Sequence, residues 1–80
     1  MNEGKFSAIL SVIVPPVVGL IFRRMGMSEA EAAAAFYRSK VYARLSDESS
    51  KLWHYGAETI FAMYEDEAAG RVIEYPEEAY

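Results

Sequence analysis

Eighty residues without a cysteine exclude disulfide-stapled scaffolds and thiolate metal sites and leave room for one domain, residues 1–80. A hydrophobic content of 52 % excludes a chain that stays unfolded. The net charge of −4 divides unevenly: residues 1–56 carry seven Lys/Arg and five Asp/Glu, a net of +2, whereas residues 57–80 carry one Arg and seven Asp/Glu, a net of −6. The acidic end repels phosphate backbones and favours a basic partner surface.

Phe6 to Phe22 is apolar apart from two serines and a glycine, with Lys5 before it and Arg23-Arg24 after it. It is near the short limit for a membrane span, and Pro15-Pro16 interrupts it, each proline costing about 3 kcal/mol inside a helix. A membrane span and a signal peptide are therefore both disfavoured, and a cytoplasmic location is expected. The expected arrangement places Pro16 at the first turn of a helix running to about Arg24, with Gly26 as its left-handed stop. Phe6 to Val14 then forms a separate apolar segment. Being apolar all round, it needs cover from a protein partner or a second copy, which an 80-residue domain can hardly supply itself.

Ser28 and Glu31 have the spacing of a capping box, and the following alanines have the highest helix propensity. A helix is predicted from Glu29, with Ala30, Ala33, Ala34 and Tyr37 on its inner face and Phe36 at the edge. Lys40 and Arg44 would enter that face, so a break is expected near Ser39, which caps a short second helix with Val41, Tyr42 and Leu45 inward. Ser46 or Asp47 caps a turn, and Leu52 and Trp53 return the chain to the core. Trp53 is expected to bond the backbone through its indole N–H, and His54 to be a packed or surface imidazole.

A last helix is predicted from Ala57 to Ala69, with Ala57, Ile60, Phe61, Tyr64 and Ala68 on one face and Gly70 as the stop. Glu65, Asp66 and Glu67 read as solvated acidic surface, since consecutive helical residues diverge by about 100° and cannot converge on one ion. The expected core is Val17, Ile21, Phe36, Tyr37, Leu45, Leu52, Trp53, Ile60, Phe61 and Tyr64.

Residues 71–80 read as an extended acidic tail. Val72, Ile73, Glu74, Tyr75 and Pro76 are the candidate partner-binding residues, placed to add as a strand to a partner's sheet or to lie across one. No phosphate loop, nucleophile elbow, zinc or calcium motif is present, and one histidine without a cysteine leaves little for acid–base or nucleophilic chemistry. The chain is expected not to be an enzyme and to need no cofactor, metal or small-molecule substrate. A helix-turn-helix DNA binder built on residues 28–45, with Arg38, Lys40 and Arg44 outward, is the alternative. Its basic footprint is small, and nucleic acid is disfavoured.

The run FYRSKVYARLSDESSKLWHYG, followed by an amphipathic helix ending in acidic residues and by VIEYPEE, resembles short uncharacterised bacterial proteins built on an FY-x-SK-x-Y-x-x-L, LWH and YPEE pattern. More distantly, the order of an apolar helix, a G-x-S-x-x-EA helix, an LH-containing turn and an acidic helix is similar to a family of unknown function often encoded beside ADP-ribosyltransferase-like toxin candidates. The resemblance covers roughly Val17 to Glu78; Pro15-Pro16 and the alanine-rich helix depart from it. It implies a small helical antitoxin or accessory subunit. The expected architecture is all-α, a small bundle of three to four short helices with an extended C-terminal tail.

Overall fold

The computed structural model describes residues 3–72. Four α-helices, α1 (Glu3–Met25), α2 (Glu29–Tyr37), α3 (Lys40–Leu45) and α4 (Ala57–Ala68), form an all-α bundle, with 3₁₀ turns at Glu48–Ser50 and Leu52–His54. There is no strand among the described residues.

The N-terminal region departs from expectation. Instead of a separate segment followed by a helix begun at Pro16, α1 runs through both prolines for 23 residues. Its length of about 34 Å at 1.5 Å per residue matches the 35 Å long dimension of the molecule. Pro15 and Pro16 lack the N–H groups that would reach the carbonyls of Ser11 and Val12. All four residues are exposed, so the affected carbonyls lie on the solvent side, where helical hydrogen bonds are already weakest. The inner face supplies the compensation. Val14, Val17, Leu20 and Ile21 are buried, and Leu10 and Ile13 pack at the margin in the same register. At about 1.5–3 kcal/mol per buried aliphatic side chain, keeping one register outweighs two lost hydrogen bonds.

Gly26 ends α1 at φ 72° in the left-handed conformation, with Arg23 and Arg24 in the last turn, as expected. Arg24 reaches Glu58 through both guanidinium nitrogens at 3.3 and 3.2 Å and lies 5.4 Å from the centre of the Phe61 ring. This links the end of α1 to the start of α4, but both ionic side chains are exposed, so the pair contributes little stability.

The capping box forms: the Glu31 amide donates to Ser28 Oγ at 3.1 Å, and the Ser28 amide to Glu31 Oε1 at 3.0 Å. The inner face of α2 is rotated from the expected one. Ala32 and Phe36 are fully buried, whereas Ala30 and Ala34 are exposed and Tyr37 is 52 % exposed. Alanine on every side sets no face by itself; the largest apolar side chain, Phe36, does.

α2 ends at the predicted break. Ser39 Oγ donates to the Phe36 carbonyl at 2.6 Å and accepts from the Tyr42 amide at 3.0 Å, so one buried hydroxyl closes α2 and caps α3. Asp47 caps the first 3₁₀ turn by accepting from Ser49, and Leu52 is fully buried. Trp53 is only half-buried: its indole N–H donates to the Glu48 carbonyl at 2.9 Å, Phe6 meets it edge-on, and exposed His54 stacks on it. In α4, Ile60, Phe61 and Tyr64 face inward with Met63, while Ala68 is exposed. Ala69 caps the helix and Gly70 turns the chain at φ 77°.

Candidate functional site

Two features position an open groove between α1 and the α2–α3 pair. One is the Ser39 turn, which fixes the angle at which α3 leaves α2. The other is a chain of ring contacts from the core outward: Tyr64 meets Phe36 at 5.9 Å, Phe36 meets Tyr42 at 5.5 Å, and Tyr42 meets Tyr37 at 4.9 Å, all edge-on. Such pairs contribute about 0.5–1.5 kcal/mol each beyond burial, so Tyr37 projects toward solvent from a fixed base.

The groove consists of two adjoining depressions. One, of about 430 Å³, lies between Ser7, Ser11 and Pro15 on α1 and the rings of Tyr37 and Tyr42. The second, of about 490 Å³, runs along Val18 and Gly19 on one side and Glu29, Ala30 and Ala33 on the other. Val14, Pro15 and Tyr37 line both. The first depression mixes hydroxyls with rings, and Ser11 Oγ donates to the Ser7 carbonyl within it. Beside Pro15, the Ser11 carbonyl has lost its usual helical donor. The lining combines apolar rings and a proline with the hydroxyl-bearing residues Ser7, Ser11, Tyr37 and Tyr42. It offers no nucleophile–base pair.

Beyond the groove, α1 turns a second apolar surface outward. Val12 is 72 % and Phe22 44 % exposed; Pro16 lies open between them and Ala8 one turn before Val12. Gly4–Met25 is long and apolar enough to cross a membrane, with a mean hydropathy of 2.0 and 22 % of its most apolar stretch buried.

Of the predicted partner-binding residues, Val72 is 85 % exposed. Ile73, Glu74, Tyr75 and Pro76 lie outside the described residues. No three acidic or histidine side chains converge among the described residues. The acidic end of α4 is not uniform solvated surface, as the sequence reading had it. Glu67 accepts from the Lys40 and Val41 amides at 2.9 and 3.0 Å, capping the start of α3 from another helix, and Asp66 pairs with Arg71 at 2.9 Å. Burial, and after it the Glu67 carboxylate, pushes the Tyr64 phenol above its ordinary value, with Arg38 pulling the other way.

The groove residues of α1, Ser7, Ser11 and Pro15, escaped the sequence reading because the chain was divided at the prolines. The exposed aromatic Tyr37, placed in the core by periodicity, is the other residue missed. Its phenol was the available signal, since a polar tip favours a position where one end is wet. Comparison with family models, with curated proteins and with solved structures finds no match.

Proposed function

We propose that the chain is a small non-catalytic protein-interaction module, acting in the cytoplasm as an antitoxin-like or accessory subunit of a bacterial toxin-like protein. The observation that carries the interaction reading is the open groove, in which Tyr37 is held half out of the core by Phe36 and Tyr42 beside Pro15. Exposed aromatic and apolar groups on a rigid base are what protein partners bury, and aromatic anchors supply most of the energy in such contacts. The antitoxin-like part rests on the resemblance of the run from Phe36 to Gly56 and of VIEYPEE.

A cytoplasmic reading is supported by the inner face of α1. Withdrawing the helix into lipid would strip Val14, Val17, Leu20 and Ile21 from the core and would place the carbonyls of Ser11 and Val12 in hydrocarbon. The helix-turn-helix alternative has the α2–Ser39–α3 connection in its favour. Against it, α3 has six residues, about 9 Å, and its N-terminus, the end that would meet bases, is occupied by the Glu67 carboxylate.

The test is quantitative affinity purification of the tagged chain from its host without detergent, alongside Tyr37→Ser and, as a control on the exposed side of α4, Glu65→Gln. The expected result is a stoichiometric protein retained by the parent chain and by Glu65→Gln and lost by Tyr37→Ser. Equal retention by all three, or a chain extracted only with detergent, contradicts the proposal.

A further inference from the structure

Glu67 lines neither depression of the groove, yet it holds the helix that supplies one of the walls. We propose that Glu67 is a positioning residue for the groove: its carboxylate fixes the roll of α3 and, through the Tyr42 ring, the place of Tyr37. The consequence for binding rests on the interaction-module reading; the positioning does not.

α3 is too short to hold its own orientation. Its six residues make fewer than two turns, and a helix of that length is marginal without outside support. Its buried side chains, Val41 and Leu45, stand four residues apart on one line along the axis. Packing along a single line resists withdrawal from the core but does little against rotation about that line. Tyr42 sits about 100° round the axis from Val41, so a roll of α3 moves its ring relative to Tyr37.

Two clamps at the start of α3 oppose that roll. Ser39 Oγ donates to the Phe36 carbonyl and accepts from the Tyr42 amide, tying α3 to the end of α2. Glu67 ties α3 to α4 instead: Oε2 accepts from the Lys40 amide at 2.9 Å and Oε1 from the Val41 amide at 3.0 Å. One oxygen on each of two successive amides fixes direction as well as distance, where a single bond would act as a pivot. Ser39 belongs to the connecting turn, whereas Glu67 reaches in from 27 and 26 residues along the chain, so Glu67 is the clamp that refers α3 to the far side of the bundle. The neighbouring acids are placed otherwise, Asp66 being paired with Arg71 and Glu65 exposed.

The effect reaches the groove through rings. Tyr42 meets Phe36 at 5.5 Å and Tyr37 at 4.9 Å, and Tyr37 lines both depressions. Phe36 is also held from α4, by Tyr64 at 5.9 Å. Displacement of α3 therefore changes the Tyr37–Tyr42 contact and leaves the Phe36–Tyr64 pair in place.

The experiment is aromatic NMR of the full chain, comparing the parent with Glu67→Gln, Glu67→Ala and the control Glu65→Gln at a temperature where thermal melts show each to be folded. The proposal expects the Tyr37–Tyr42 ring NOE cross-peaks to be lost in Glu67→Ala and weakened in Glu67→Gln, whose carboxamide has one acceptor oxygen for two amides. The Phe36–Tyr64 cross-peaks should persist in both, and Glu65→Gln should match the parent. Tyr37–Tyr42 cross-peaks at parent strength in the Glu67 variants overturn the proposal. So does joint loss of both ring pairs, which would show Glu67 supporting the bundle as a whole. If Glu67→Ala does not fold, Glu67→Gln decides by the same two criteria. In the affinity purification, partner retention should fall for Glu67→Gln together with its cross-peaks; undiminished retention with weakened cross-peaks overturns the link to binding. A partner retained equally by the parent and by Tyr37→Ser removes the interaction-module reading and leaves the NMR result to decide the positioning alone.

Discussion

Both sides of α1 carry large apolar residues, and these have opposite fates. Inward, Val14, Val17, Leu20 and Ile21 are at most 6 % exposed; outward, Val12 and Phe22 are 72 % and 44 % exposed, with both prolines between them. Hydrophobicity made the whole segment look uniform, but burial is decided by what stands opposite. α2 and α4 cover one side, and among the described residues nothing covers the other. Prolines on the covered side would leave buried carbonyls without donors; on the open side they cost far less. The same asymmetry leaves a groove at the margin between the sides.

The strongest way to break this comparison is to remove a side chain from the covered side. Phe36→Ala, against the inner face, is expected to cost about 3–5 kcal/mol, measured by urea denaturation, and a loss below about 1 kcal/mol would show that α1 and α2 do not share this core. Trp53→Ala should cost less, about 2 kcal/mol, since its ring is only half-buried and a fully buried ring sets the upper range. Glu67→Ala, which leaves the Lys40 and Val41 amides without an acceptor, should cost about 1–2 kcal/mol, whereas Glu65→Ala, at an exposed position two residues earlier, should change stability by no more than about 0.5 kcal/mol.

A smaller effect is expected from pH. Because folding raises the Tyr64 pKa, the native state holds the phenolic proton more tightly than the unfolded chain does. The associated stability is fully present below the ordinary tyrosine value of 10 and is lost as pH climbs through the higher folded value. Thermal melts from pH 9 to 11 should therefore show a steeper decline for the parent chain than for Tyr64→Phe. Smallest of all, Val12→Glu should leave the melting temperature of the isolated chain nearly unchanged, since the side chain is already in water.

What could be read in advance follows from how local the physics is. The Ser28 capping box, the Ser39 break, the Asp47 turn and the stops at Gly26 and Gly70 are each decided by a few neighbouring residues, and each formed as its residues dictate. The continuity of α1 through Pro15 and Pro16 was not legible, because the local penalty is overcome by packing against residues far along the chain. Tyr37 and Glu67 failed for the same reason. The rotation of α2 is set by Phe36 meeting Tyr64, and Glu67 finds its role only where α4 meets the start of α3. The groove depends on both misread features, so it became visible only with the fold.

The measurement that tests the central claim most directly uses the absence of native cysteines. Ser11→Cys, on the groove side, and Val17→Cys, on the inner face, are compared for thiol-labelling rate in detergent-free buffer. The account predicts that Ser11→Cys reacts nearly as fast as in the unfolded chain and that Val17→Cys reacts at least a hundredfold more slowly, which corresponds to about 2.7 kcal/mol of protection. Equal rates at the two positions would contradict it, showing that α1 does not divide into a covered and an open side.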